Sequence, residues 1–412
     1  MAQAGRKAPA LAGAIGNVLE WYDFALYGFF AVTLGRLFFP AGSALDSQIA
    51  AFGVFAAGYF MRPLGGILLG HIGDRFGRKP VLVLSTGLMA LATCTIGLLP
   101  TAAEIGAWAA GLLVACRLLQ GLSIGGEYNG SVVFLVEHAQ EGRRGLFGSL
   151  SIVGAGVGAL LGSASAAAAL GLLPEDWGWR VPFIAGLGLG LVGLYLRLRL
   201  PAPKPPPKAA GWPLAEVLRD HGRTVLRIFG LTIMHAVGVF MLFIFMKTYL
   251  HLEVGVPQAQ AALLGTLGLL ALMAVTAVAG ALSDRFGRKP LLVASAAALV
   301  VLAFPLLWAV NHLGLAGILL GQAAFAVIVG TYAGTAPATM SELLPPGVRV
   351  TGTALGYNIC MAIFGGTTPM VTLWLIREGG SPLSPAAYLM LASVLSLVAL
   401  RGMPETAKRP LG

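Results

Sequence analysis

The stretch Asp74-Arg75-Phe76-Gly77-Arg78-Lys79-Pro80 (DRFGRKP) occurs a second time, unchanged, at residues 284–290. Both copies fall in a short polar gap between two long apolar runs, half the chain apart. Seven identical residues at that separation mark an internal duplication, so the chain reads as two comparable halves. The echo extends further. Glu137 is followed by Arg144, and Glu342 by Arg349, at the same spacing, after the fourth and tenth apolar runs.

The runs themselves decide the fold class. Of 412 residues, 57% are hydrophobic and 11% charged, against about a quarter charged in an ordinary soluble domain. Such a chain has its surface in lipid. Twelve apolar runs are each long enough to cross a hydrocarbon core: 13–38, 49–72, 80–100, 107–134, 146–170, 181–200, 224–250, 258–282, 290–310, 315–341, 351–376 and 384–402. Spans in lipid satisfy their backbone internally, so an all-α integral membrane protein of two six-helix bundles is expected. The bundles are residues 1–200 and 223–412. A Pro-rich basic linker, 201–222, joins them and ends in a short amphipathic piece near 213–222. The opening MAQAGRKAPA reads as a basic tail leading into a full span rather than a cleavable signal.

The net charge of +10 is distributed by topology. With the N-terminus inside, most basic residues fall in inward-facing segments, among them Arg6, Lys7, Arg75, Arg78, Lys79, Arg143, Arg144, Arg285, Arg288, Lys289 and Arg349. This positive-inside pattern places both termini in the cytoplasm and removes nucleic acid as a partner. Cys94, Cys116 and Cys360 lie in spans with no CxxC spacing, so neither a disulfide framework nor a metal site is expected. No cofactor motif or catalytic constellation occurs, which argues against an enzyme.

The pattern Gly70-x-x-Gly73-Asp74-Arg75-x-Gly77-Arg78-Lys79 resembles the loop signature of the major facilitator superfamily. RLLQGLSIGG (117–126) is similar to its helix-4 motif. GNVLEWYDFALYGFFA (16–31), FMRPLGGILLGHIGDRFGRKP (60–80), GGEYNGSVVFLVEHAQEGRRG (125–145), YNICMAIFGGTTP (357–369) and SPAAYLM (384–390) resemble its metabolite:proton symporter family. GGEYNGS is closest to the proline/betaine branch. The resemblance covers nearly the whole chain. It implies a secondary transporter, functional as a monomer in a bacterial inner membrane, that imports a small polar metabolite with a proton by alternating access. Its substrate site would lie at the repeat interface. The long C-terminal coiled coil of some osmosensing members is absent from this sequence.

Charge inside a bilayer is costly and points to function. Of 17 acidic residues, Glu20, Asp23 and Glu127 lie clearly within spans; of 27 basic residues, Arg62 and Arg117 do. A rise of about 1.5 Å per residue puts Asp23, Arg62 and Arg117 at similar depth, so Asp23 can meet either arginine. Glu127 lies nearer the cytoplasm and cannot pair with Arg117 along one helix. Glu20 and Asp23 share a helix face, and two carboxylates that close do not both ionise readily without a cation. Asp23, Glu20, Glu127 and Arg117 are therefore the proton-coupling candidates. Substrate-binding candidates are Arg62, Arg117, Asn17, Tyr27, Gln120, Tyr332, Tyr357 and Asn358, with His235, Phe243 and Thr335 as further second-half possibilities. Aromatic rings there could hold a quaternary ammonium.

The duplicated loop lies far from that depth. Gly77 and Gly287 permit a tight turn. Asp74 and Asp284 could face a helix N-terminus from the opposite half, and Arg78 and Arg288 could bridge to Glu137 and Glu342. With Arg144 and Arg349 these residues form an expected cytoplasmic gate. The expected substrate is a zwitterion such as proline or glycine betaine. The alternatives are a small organic acid (2-oxoglutarate, citrate or shikimate-like) and an exporter of drugs or metabolites on the same fold.

Overall fold

The structure, a computed structural model, describes residues 4–40, 44–199 and 212–411. Twelve helical segments follow the twelve apolar runs: α1 (Ala4–Phe38), α2 (Ala44–Phe76), α3 (Arg78–Leu98), α4 (Trp108–Glu137), α5 (Arg144–Leu172), α6 (Arg180–Leu198), α7 (Gly222–Phe240), α8 (Gln258–Phe286), α9 (Arg288–His312), α10 (Gly314–Glu342), α11 (Arg349–Cys360) and α12 (Pro385–Arg401). Among the described residues, ten helical segments are long and apolar enough to cross a membrane. There are no strands among them. Leu84, Leu91 and Leu98 recur along one exposed face of α3, which is the pattern of a helix turned to lipid.

Two segments are interrupted at corresponding places. After Phe240, α7 passes through a π-helical turn, Met241–Phe245, and resumes as Met246–Leu252. After Cys360, α11 passes through a π-helical turn, Met361–Gly365, and resumes as Thr368–Gly379. Such turns insert one residue into the helical ladder and re-aim the side chains beyond it. The side chain of Phe243 lies outside the described residues.

The chain divides into two compact units. One comprises Met1–Phe134, Gly154–Glu216 and Pro346–Leu355; the other comprises Leu135–Val153, Val217–Pro345 and Gly356–Gly412. Each thus takes in one short segment from the opposite half of the sequence. Of the linker, 201–211 lies outside the described residues, and Pro213–Asp220 forms the short amphipathic helix expected there.

The two copies of DRFGRKP make the same turn. α2 and α3 meet at Gly77 (φ 96°), and α8 and α9 meet at Gly287 (φ 98°). Only glycine adopts that backbone without strain, and this lets a single residue separate two long helices.

Candidate functional site

In the first unit the deep arginines are placed by bare backbone contact between α2 and α4. A Cβ on Gly121 would collide with the carbonyl of Gly58, and one on Gly125 with the carbonyl of Arg62 and the amide of Gly66. Small residues at these positions let two helices touch. Arg62 and Arg117 consequently project from a closely joined pair, and both are buried.

α1 supplies the acids. Asp23 accepts from Arg117 Nη1 at 2.7 Å, from Gln120 Nε2 at 2.7 Å and from the Thr93 hydroxyl at 3.0 Å. Gln120 Oε1 accepts a further bond from Arg117 Nη1 at 2.7 Å. Of the two partners expected for Asp23, the structure selects Arg117. One turn away, Glu20 Oε1 meets Arg62 Nη2 at 3.5 Å. The second oxygen of Glu20, and Nε and Nη1 of Arg62, are buried without a hydrogen-bond partner. The two carboxylates on one face of α1 thus have separate counter-ions, one saturated and one loosely held.

Aromatic rings surround these pairs. The Arg117 guanidinium lies 4.3 Å from the Tyr27 ring centroid and 5.3 Å from that of Phe55; Arg62 lies 5.3 Å from that of Tyr59. Tyr27 is further fixed by its hydroxyl, which donates to the Ala51 carbonyl at 2.9 Å. Asn17 donates to Ser131 Oγ at 3.1 Å.

Glu127 pairs with Arg197, at 2.5 Å between Oε1 and Nη2 and 3.0 Å between Oε2 and Nη1. Arg197 is thus a third buried arginine of the first unit, beside Arg62 and Arg117. Arg197 sits one residue from the end of α6, and a long side chain there ordinarily reaches for water. Instead it turns inward and is fully buried.

In the second unit, His235 and Tyr357 are buried, with ring centroids 6.0 Å apart. Nδ1 of His235 has no partner. Asn358 is buried in the same helix as Tyr357. Tyr332 donates to the Leu231 carbonyl at 2.8 Å, and Thr335 donates to the carbonyl of Thr331. These two side chains are therefore engaged by the backbone.

At the duplicated loops the expected helix-end contacts are formed. Asp74 accepts from the amides of Val350 (3.1 Å) and Thr351 (2.8 Å), at the start of α11. Asp284 accepts from the amides of Gly145 (2.8 Å) and Leu146 (3.0 Å), at the start of α5. An anion there meets free N–H groups and the positive end of the helix dipole. Arg78 donates to Asp74 at 2.8 Å and to the Pro346 carbonyl at 3.0 Å. Arg288 bridges Asp284 (2.9 Å) and Glu342 (3.1 Å), and Arg144 lies 3.8 Å from Glu342. Glu137 ends α4 and Arg349 opens α11.

The second loop carries a strap that motif reading did not find. Glu405 accepts from the amides of Arg288 (2.9 Å) and Lys289 (3.0 Å), and the Thr406 hydroxyl donates to Glu342 at 2.6 Å. Partial burial of Glu405 would raise its carboxyl; the amides of Ala407, Arg288, Lys289 and Thr406 outweigh that and hold it below the ordinary 4.5.

Two glycine-broken helix pairs, helical segments along all twelve apolar runs and a buried array of acid–arginine pairs define a membrane transporter of duplicated six-helix design. The chain belongs to the Major Facilitator Superfamily, whose family model matches residues 13–369 and 228–410. It is 34% identical over 422 residues to the proline/betaine transporter of Salmonella typhimurium, covering 97% of this chain and 84% of that one. It is 36% identical over 432 residues to the ectoine/proline transporter of Corynebacterium glutamicum, covering 98% and 85%. It is also 36% identical over 419 residues to a glycine betaine/proline/ectoine/pipecolic acid transporter of Dickeya dadantii, covering 97% and 83%. Among solved structures, the proton:xylose symporter XylE superposes with a TM-score of 0.83 over 99% of this chain and 98% of that one, at 18% identity. That last likeness concerns the fold.

Proposed function

We propose that this protein imports a small zwitterion, of the proline or glycine betaine kind, together with a proton by alternating access. The observation that carries the reading is the Glu20–Arg62 pair. It is buried, makes one long contact of 3.5 Å, and leaves one carboxylate oxygen and two guanidinium nitrogens unused. A buried polar group without a partner is costly, so this pair gains from a ligand that brings both charges. A substrate carboxylate fits Arg62 Nε and Nη1, in the planar geometry arginine favours. A substrate cation fits the Tyr59 ring beside the pair. With the substrate carboxylate on Arg62, Glu20 loses its counter-ion and takes up a proton, which couples the two cargoes. The names of the relatives support the same substrate class.

Asp23 and Arg117 act as the fixed partner pair in this scheme, and Gln120 holds both. The organic-acid alternative is less well supported. Arg117 and Arg197 are each held by a carboxylate, so beyond Arg62 a second substrate carboxylate would meet no free deep arginine of the first unit among the described residues. Nothing in the geometry favours the exporter. The loop contacts of Asp74, Arg78, Asp284 and Arg288, with Glu137, Arg144, Glu342 and Arg349 nearby in sequence, act as the gate; with both termini cytoplasmic, it lies on the cytoplasmic side.

The test is uptake of labelled proline, glycine betaine, ectoine and succinate into proteoliposomes under an inward proton gradient. Zwitterion uptake is expected to fall at least tenfold on adding a protonophore, with succinate inert. Glu20→Gln is expected to retain counterflow exchange while losing acceleration by the gradient. Gradient-driven uptake equal in variant and wild type would remove Glu20 from coupling; succinate uptake alone would overturn the substrate class.

A further inference from the structure

α1 ends where α2 begins, and α2 runs from there to the duplicated loop at Gly77. The last turn of α1 therefore lies on the membrane face opposite that loop. There it meets the end of α5 and the start of α6, and the three helix ends enclose a cavity of about 230 Å³. A site that encloses a whole drug-sized molecule is larger, at about 300–1,000 Å³. This one has room for a small polar group at the head of something longer.

Its walls carry a cation, an N–H-bearing ring and no acid. Arg36, in the last turn of α1, brings a guanidinium, and Thr33, one turn earlier, a hydroxyl. Among the described residues, no carboxylate lines the cavity. Trp179, at the start of α6, lines it too; the side chain is buried and its Nε1 has no hydrogen-bond partner. The ring is held on three sides. The Arg180 guanidinium lies 4.6 Å from its centroid and is itself fixed by donating to the carbonyls of Gly97 (3.0 Å) and Leu99 (2.6 Å). Phe38 and Phe183 pack edge-on, with centroids 5.9 and 6.2 Å away. An indole N–H can only donate, and a buried one ordinarily has an acceptor. A guanidinium and a fixed N–H at one small cavity suit an anion with several oxygens.

The rim shows what carries that anion. Leu170 and Leu173 line the cavity; Leu170 is 55% exposed, and Leu172, the last residue of α5, is 81% exposed. Trp177 is half-exposed at the same end. Exposed leucines at the end of a span meet acyl chains, and tryptophan collects at the level of the head groups. A soluble anion would use none of this apolar rim. We propose that the cavity binds the phosphodiester of a phospholipid with a net negative head group. Arg36 supplies the charge and Trp179 the N–H, while the acyl chains run along Leu170. Basic pockets between spans hold such head groups by the same forces. The bound lipid fastens the end of α1 to α5 and α6, and the site is independent of the symport reading above.

The experiment uses the full-length protein, purified in neutral detergent and stripped of lipid. It is titrated with phosphatidylglycerol, phosphatidylethanolamine, glycerol 3-phosphate and inorganic phosphate, and binding is read by native mass spectrometry and thermal shift. A phosphatidylglycerol with a photoreactive head group locates the site. Wild type is expected to hold its first phosphatidylglycerol at least tenfold more tightly than phosphatidylethanolamine. It should show no thermal shift with the two soluble phosphates, and it should crosslink within residues 33–38 and 169–179. Arg36→Gln is expected to weaken that first lipid at least tenfold. Arg36 is exposed, so this variant should melt like wild type in the absence of lipid. Trp179→Phe keeps a ring and removes the N–H, and should weaken binding at least threefold.

Wild-type affinity for phosphatidylglycerol in Arg36→Gln would overturn the proposal, as would crosslinks confined to other parts of the chain. Equal thermal shifts from inorganic phosphate and from phosphatidylglycerol would also overturn it, and would assign the cavity to a soluble anion. Undiminished binding by Trp179→Phe would refute the role given to the indole N–H; should that variant not fold, Arg36→Gln decides alone.

Discussion

Asp284→Asn isolates the helix-end contact at the second duplicated loop. Asp284 accepts two amide bonds at the start of α5 and one bond from Arg288. Asparagine keeps one acceptor oxygen but presents an NH2 group to the other amide. One charge-assisted bond is lost and another becomes neutral, at a cost of about 1–3 kcal/mol. Loss of the charge at the helix N-terminus adds about 0.3–1 kcal/mol. Arg288 keeps Glu342 as a counter-ion, so no orphaned cation adds to the sum. The total is about 2 kcal/mol, or roughly a 30-fold change in an equilibrium between contact made and contact broken.

The position to probe is Ser149, buried in α5 against Gly280 of α8. With Cys94, Cys116 and Cys360 replaced by alanine, Ser149→Cys reports opening through its rate of maleimide labelling in membranes. Adding Asp284→Asn is expected to raise that rate about 30-fold, in line with the free-energy estimate. Relative rates for different substrates should stay unchanged. A rise below threefold would mean that the contact is not broken during opening, and an altered order of substrates would refute the separation of gate from binding site.

Asp23→Asn should lower the melting temperature and reduce gradient-driven uptake and counterflow alike, because Arg117 becomes a buried cation without a carboxylate; loss of driven uptake alone would show that Asp23 is not merely the fixed partner. Gly125→Val should prevent assembly of the first unit, since its side chain would have to occupy the space of the Arg62 carbonyl, and detergent extracts should contain no monodisperse protein. Glu405→Gln should lower the melting temperature at pH 7. The Glu405 carboxyl is depressed in the fold, so its contribution is present above the unfolded value of 4.5 and disappears as pH falls through the lower folded value. The gap between variant and wild type should therefore close on acidification below 4.5, and a gap that persists there would show that the strap does not act through the carboxylate charge.

Much of the fold was legible because lipid imposes its own grammar. Run length sets helix length, and duplication sets the number of bundles. The helix-end roles of Asp74 and Asp284 were also legible, since an aspartate next to a glycine turn has few other uses for its charge. The pairing of Asp23 was left open between two arginines, as rise per residue gives depth but not azimuth. Arg197 was missed for a related reason. Counted by position it belongs to the helix end, and only its rotamer carries the charge inward. The Glu405 strap follows no periodicity at all. The π-helical turns of α7 and α11 likewise leave no mark in hydropathy, because an inserted residue keeps the run apolar.

The glycine contact between α2 and α4 has a mechanical consequence. Where two backbones touch at Gly58, Gly121 and Gly125, neither helix can slide past the other without a collision. Arg62 and Arg117 are therefore mounted on one plate, while Glu20 and Asp23 ride together on α1. A shift of α1 against that plate would stretch both ion pairs in a single stroke. The resistance to such movement then includes both ion pairs beside the packing of Phe24 and Tyr27 on Phe55, and anything that weakens the pairs lowers that electrostatic part.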